Sequence, residues 1–436
     1  MDRASDYGSE GWRFKSVRAR QVVFCKTRVV NVNVVSHFSC RLCGSDIENS
    51  VDLGEHPIVN KLLEKPRQVK KYPMQVGGCK QCGLFQILEP IDALEFYTNY
   101  DNGSSVKREP HLHELLDHLS SILSTDAKII DVGCNDGKFL SHLRETGFTN
   151  LIGLEPTKNM SSIAIASGFK VFNTFLDVST ADEIVSSEGK FDCVVIRQVL
   201  EHISNLESFG LAIQRLVKPG GMIAIEVPDA QLNFRGPDYA LWEEHVNYFT
   251  VKSLEFFLRL NGIKLVGSYV SIFSGICLTV LGQRILKESE ALDFVPFDNA
   301  ATDDFLSSQK WSTEFLTFKE NIRREIKSFK EKGVEVVLYG VGSRSSPFLN
   351  IMGVNDMLSF AIDDDPRKQG KFLPGSNIEI VSRKDGFSRL NGQSLILLGV
   401  NKENEEKLIG ELSSRSSLIF KSILPPSERL LSAFSL

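Results

Sequence analysis

Lys128–Leu143 reads KIIDVGCNDGKFLSHL, and LIGLEP, Leu151–Pro156, follows close behind. Ile129, Ile130 and Val132 make an apolar run of strand length, Gly133 and Gly137 break it as a turn, and Phe139, Leu140 and Leu143 then recur at helical spacing. The second stretch is a strand that ends on an acid, Glu155. A strand, glycine turn, helix, strand and acid in this order is how doubly wound α/β folds hold an adenosine. Glycines let the backbone approach the ligand, and the acid accepts the ribose hydroxyls.

Spacing separates the ligands that use this architecture. A dinucleotide site needs GxGxxG with a pyrophosphate over the helix N-terminus. Here the turn is DxGxxxG, with Cys134 and Asn135 between Gly133 and Asp136. That pattern resembles motif I of the class I methyltransferases that use S-adenosylmethionine (SAM), a ligand with an amino-acid end and a sulfonium cation. The resemblance implies that Asp131, Gly133, Cys134, Asn135, Gly137 and Glu155 bind the methyl donor.

The length of 436 residues suggests two or three domains at about 150 residues each. With 42% hydrophobic and 24% charged residues the composition is that of a globular protein, and a net charge of −5 argues against a nucleic-acid partner, which needs a basic face. No apolar run approaches the roughly 20 residues that span a bilayer, and the opening MDRASDYGSEGWRF has no apolar signal core, so a cytoplasmic location without membrane attachment is expected.

Cys40-Arg-Leu-Cys43 and Cys79-Lys-Gln-Cys82 are two CxxC knuckles, each followed by glycine. Two such turns can close four thiolates into a tetrahedron around Zn²⁺, a structural site because no coordination position is left for water. Paired disulfides or buried thiols are the competing reading, and a reducing compartment disfavours the former. Cys25, Cys134, Cys193 and Cys277 read as core residues.

The order CxxC, LGEHPIVNKLL (Leu53–Leu63), CxxCGLxQ (Cys79–Gln86) and the GCNDGxxL of motif I resembles the sugar C-methyltransferases, which act on nucleotide-linked keto-deoxysugars. The resemblance covers about residues 38 to 410. It implies a central Rossmann-like α/β methyltransferase domain between a small N-terminal zinc domain and a second, C-terminal Rossmann-like α/β domain. The expected bounds are an unassigned extension at 1–37, the zinc domain at 38–92, the methyltransferase domain at 105–285, a helical connector at 286–332 and the C-terminal domain at 333–436. The extension holds one alternating stretch, RVVNVNVV.

FDCVVIRQVLEHI, Phe191–Ile203, is a strand whose turn, with Arg197 and Gln198, belongs at the carboxyl end of the sheet beside the donor. VFNTFLD, Val171–Asp177, is the third strand, and by resemblance Phe175 flanks the adenine. The histidines His111, His113 and His118 of the preceding amphipathic segment read as packing or solvent-facing residues. Ala230–Thr250, rich in aromatics and acids, reads as a cover loop over the active site. Where the sugar C-methyltransferases carry a YHEH-like tetrad, this chain has Trp242, Glu243, Glu244 and His245, so only the last two match. In Ser271–Arg284, only Gly275 stands where the family carries a histidine, two glycines and a serine.

Methylating carbon requires prior removal of a proton α to a carbonyl. His245 is the expected base, Glu244 its orienter or a ligand of a substrate hydroxyl, and His202 a further active-site residue implied by the resemblance. The expected function is C-methylation of a nucleotide-linked sugar or similar polar metabolite. O- or N-methylation of a small polar or saccharide acceptor and a non-catalytic binding or assembly role on the same fold are the alternatives. In the C-terminal unit, Gly340 and Gly342 precede an aspartate cluster but lack the third glycine of a dinucleotide site, and Arg344 is a candidate for a substrate phosphate or carboxylate. The sequence leaves the oligomeric state open and is compatible with a monomer.

Overall fold

The computed structural model describes residues 38–47, 50–97, 111–235, 241–273, 276–286, 300–412, 417–425 and 427–435. The extension at 1–37, with Cys25, and also Tyr239 and Gly275 lie outside the described residues.

The N-terminal unit comprises β1 (Phe38–Ser39), β2 (Asp46–Ile47), β3 (Ser50–His56), β4 (Tyr72–Gly78) and β5 (Phe85–Ile87). β1 and β2 pair around the first knuckle, and β3, β4 and β5 form an antiparallel meander.

The central unit contributes β6 (Lys128–Val132), β7 (Asn150–Leu154), β8 (Lys170–Phe172), β9 (Phe191–Arg197), β10 (Val217–Pro228), β11 (Asn247–Tyr248), β12 (Ile263–Ile272) and β13 (Ile276–Arg284). Seven of these form one sheet in the order β12-β13-β10-β9-β6-β7-β8. The strands from β10 to β8 run parallel, whereas β13 and β12 are antiparallel. Parallel strands are covered on both faces, and Ile129, Ile130, Val194, Val195 and Ile196 are fully buried accordingly. The third strand is shorter than Val171–Asp177, because Asn173 turns its side-chain amide onto the carbonyls of Glu155 and Pro156 and Asp177 caps the next helix by accepting from the Thr180 N–H at 2.8 Å.

β11 does not join this sheet. It pairs antiparallel with β5, so a piece of the central segment becomes the fourth strand of the zinc-side sheet. The chain from Leu241 to Thr250 is therefore pinned and mostly buried rather than an open cover.

The C-terminal unit is a parallel sheet of β14 (Glu335–Tyr339), β15 (Ala361–Ile362), β16 (Ile380–Val381), β17 (Ser394–Leu398) and β18 (Leu418–Ser422), ordered β16-β15-β14-β17-β18. The connector is the helix Ala300–Glu331. Its buried stripe Trp311, Phe315, Phe318, Ile322 and Ile326 recurs at steps of three and four, and it packs in one cluster with Val76, Phe85 and Tyr248 on one side and Val336 and Leu338 on the other. Among the described residues no helix is long and apolar enough to cross a membrane.

Candidate functional site

The carboxyl ends of β6, β7, β9 and β10 lie side by side, and the polar residues of the central unit gather there. After β6 the chain turns through Gly133 (φ 78°), Asn135 (φ 50°) and Gly137 (φ 80°). A side chain on Gly133 would stand 2.4 Å from Val199 Cγ2, so the β6 turn nests against the β9 turn only because Gly133 lacks a Cβ. Glu155, at the end of β7 and buried, accepts from the Asn135 N–H at 3.0 Å, the Thr157 N–H at 2.7 Å and the Thr157 hydroxyl at 2.5 Å. A carboxylate offers about four acceptor directions, which leaves one for a ribose hydroxyl. Phe175, 43% exposed, follows Asn173 on the same edge. Cys134 turns its thiol away from this edge: a Cβ on Gly153 would lie 2.5 Å from its Sγ, and burial raises the thiol pKa.

At the end of β9, Arg197 Nη2 donates to Glu226 Oε1 at 3.1 Å and lies over the Phe139 ring, 4.6 Å from its centroid. His111 is buried beside the same carboxylate at 3.8 Å and stacks on Phe273. Arg197 and His111 hold Glu226 down at about 2 despite its burial. Burial pushes Asp131, the acid of motif I, up to about 7, against the pull of Arg197. Gln198 adopts φ 53°, a backbone conformation costly for a residue with a Cβ, and its amide nitrogen approaches Cys277 Sγ at 3.2 Å. His111 and Glu226 carried no distinguishing sequence signal. A histidine at the first turn of an amphipathic helix reads as packing until the sheet edge is built.

The same β9 turn continues into Leu200–His202, which is laced to the pinned segment. The Val246 N–H donates to the Glu201 carbonyl at 2.8 Å, and the Asn247 side-chain amide donates to the carbonyls of Leu200 and Ile203. This brings His202 and His245, expected together, to a ring separation of 4.8 Å, with Trp242 packed 4.6 Å from His245. His202 Nδ1–H donates to the Glu244 carbonyl at 2.8 Å, which leaves its Nε2 as the unprotonated nitrogen of the neutral ring. Dense packing pushes His202 down to about 4 and His245 well below its ordinary value.

Glu243 and Glu244 are buried and reach the N-terminal unit. The Val59 N–H donates to Glu243 Oε1 at 2.6 Å, and Asn60 Nδ2 donates to Glu244 Oε1 at 2.8 Å. Burial raises Glu243 to about 7 and Glu244 to about 8, the latter helped by repulsion from Glu243. The segment LGEHPIVN thus lies against the centre of the molecule, and a bridge between Leu63 and Phe372 carries it on to the C-terminal unit.

Cys40, Cys43, Cys79 and Cys82 place their sulfurs within 4.8 Å of one another, with Cys40–Cys82 and Cys43–Cys79 each at 3.5 Å. Four thiolates about 2.3 Å from a shared Zn²⁺ fit this spacing. In the C-terminal unit the glycine turn is filled by its own chain. Asp363 accepts from the Val341 N–H at 2.7 Å, and Arg344 donates to the Pro425 carbonyl at 2.8 Å. Asp363 also accepts from the Asp365 N–H at 2.8 Å and from Lys368 Nζ at 3.2 Å, so its carboxylate serves its own loop.

Family models match in three consecutive parts: a "Putative zinc binding domain" over residues 40–97, a "Methyltransferase domain" over 106–267 and a "C-methyltransferase C-terminal domain" over 298–405. The C-methyltransferase NovU of Streptomyces niveus is 24% identical over 376 residues, 82% of this chain and 89% of its own. The human mitochondrial ubiquinone biosynthesis O-methyltransferase is 31% identical over 176 residues, 34% of this chain and 45% of its own. A solved SAM-dependent methyltransferase from Methanosarcina mazei covers 42% of this chain at 17% identity with a TM-score of 0.31. The chain is a SAM-dependent methyltransferase, and its part that matches the zinc-binding domain contains the four-cysteine cluster. Its C-terminal part matches a C-methyltransferase domain, and over 82% of its length it is similar to a C-methyltransferase.

Proposed function

We propose that the protein methylates a carbon of a nucleotide-linked keto-deoxysugar or a closely similar polar metabolite, within the domain bounds read from the sequence. The observation that carries this reading is the imidazole pair His202–His245, with a Glu201 carboxyl oxygen close by, on the chain that continues from Val199, the residue against which Gly133 packs. The likeness to NovU along 82% of the chain supports carbon as the methylated atom.

In this reading Asp131, Gly133, Asn135, Gly137 and Glu155 hold the donor, with Phe175 against the adenine and Arg197 and Gln198 beside its reactive end. Bound there, SAM supplies an electrophilic methyl group on sulfonium. His245 removes the proton α to the substrate carbonyl, and the C–H electron pair passes to the carbonyl oxygen as an enolate, whose carbon takes the methyl. Glu244, tied to Asn60, holds a substrate hydroxyl, and His202, fixed by the Glu244 carbonyl, sets the orientation of its neighbour. The cysteine cluster is structural.

O- or N-methylation is the second reading, favoured by the 31% identical stretch shared with an O-methyltransferase. The zinc-loaded full chain, incubated in D2O with nucleoside-diphosphate-linked keto-deoxysugars and labelled SAM, separates the two. Carbon methylation gives α-deuterium in the recovered substrate and a carbon-bound label. A label on oxygen or nitrogen without exchange would overturn it.

A further inference from the structure

Glu201 is 1% exposed, and neither of its carboxyl oxygens has a hydrogen-bond partner among the described residues. A buried carboxyl without a partner is costly and is retained only where something in its surroundings uses it. One of its oxygens and one ring nitrogen each of His202 and His245 lie within 4.8 Å of one another. Catalytic hydrogen bonds are often long before substrate binds, so this span is within working range. The other titratable groups that act on Glu201 or feel it are Glu226 near the end of β10 and Cys277 on β13, and the Glu244 carbonyl of the pinned segment orients His202.

His245 is packed so tightly that it holds an extra proton poorly. A base in that position can move a proton but needs somewhere to leave it. Burial raises Glu201 to about 8, so once ionised, increasingly as pH approaches 8, it takes up a proton more readily than His245 does.

We propose that Glu201 is a positioning residue that completes a proton relay: one nitrogen of His245 takes the proton from the substrate carbon while the other gives its N–H proton to the Glu201 carboxylate. The C–H pair becomes the enolate, the imidazole ends neutral in its opposite tautomer, Glu201 ends as the carboxylic acid, and no buried imidazolium accumulates. This rests on the proposed role of His245 as base, yet its test requires neither donor nor acceptor.

Ring-labelled histidine in the zinc-loaded full chain gives the readout by NMR across pH 5 to 9, with His245 assigned from its absence in His245→Gln. The ring nitrogens of His245 should follow an inflection near pH 8 that belongs to the carboxyl, and Glu201→Gln should abolish it. A flat profile in the wild type, or an inflection that survives in Glu201→Gln, would overturn the relay. So would a metal content of two equivalents per chain instead of one, because a cation on Glu201, His202 and His245 would occupy the lone pairs the relay uses. If Glu201→Gln does not fold, the wild-type profile and the metal content still decide. Methyl transfer by a protein with a flat profile would remove Glu201 and leave the proposed function standing.

Discussion

Asn60 and Glu244 stand 184 residues apart in the chain and meet in a hydrogen bond of 2.8 Å. One belongs to the zinc-side loop, the other to the segment that carries His245, so the N-terminal unit builds part of the site. Glu244 Oε2 already has no hydrogen-bond partner among the described residues. Asn60→Leu would leave Oε1 unpaired as well, at a cost of about 1–3 kcal/mol in denaturant unfolding, with S-adenosylhomocysteine affinity unchanged. An unaltered midpoint would show that the bond does not hold the segment.

Zinc removal should act on chemistry more than on donor binding. Cys79 and Cys82 share a core cluster with Phe249 and Phe257, and β11 is paired to β5, so loss of the metal loosens the frame around His245 while the Gly133 turn stands on its own sheet. Chelation should lower the thermal midpoint and abolish methyl transfer, yet leave S-adenosylhomocysteine able to raise the midpoint of what remains folded. Full activity after complete zinc removal would contradict this.

Gly133→Ala faces two penalties, a φ of 78° and a methyl group 2.4 Å from Val199 Cγ2. A loss of about 1–3 kcal/mol in stability is expected, with at least tenfold weaker S-adenosylhomocysteine binding. Val199→Ala in the same chain should recover the steric part and not the conformational part. Full additivity of the two substitutions would show that the turns do not touch.

Burial raises Glu201 and Glu244 to about 8 and Glu243 to about 7, all from 4.5. Their contribution to stability is complete below pH 4.5 and is lost as pH rises through 7 to 8, at about 1.4 kcal/mol for each unit of displacement. His202, lowered from 6.5 to about 4, works the other way, its contribution present above 6.5 and lost as pH falls towards 4. The thermal midpoint of Glu244→Gln should therefore gain on the wild type from pH 5 to about pH 8 and level off above it. A constant difference would mean that Glu244 titrates normally in the folded protein.

Motif I, the four-cysteine pattern and the succession of three units were legible because each follows from local rules: strand period, glycine at a turn, ligand spacing. The pairing of β11 with β5 was not. Asn247 and Tyr248 look like the tail of a loop, and nothing local says that their partner strand lies far upstream at Phe85 and Gln86. Glu201 escaped for a related reason. In VLEHI it reads as the exposed neighbour of a functional histidine, and its burial depends on the 3₁₀ turn that Asn247 ties down. The bond from Arg344 to the Pro425 carbonyl was equally hidden, because that carbonyl arrives from the far end of the C-terminal unit.

The proposed chemistry requires the methyl donor to lie across the Gly133 turn with its ribose on Glu155. Calorimetric titration of the zinc-loaded chain with S-adenosylhomocysteine, beside Glu155→Leu at equal zinc content, tests this most directly. One site per wild-type chain and at least tenfold weaker binding in the variant is the predicted result. Equal affinity in the two, or no binding to the wild type, would contradict it.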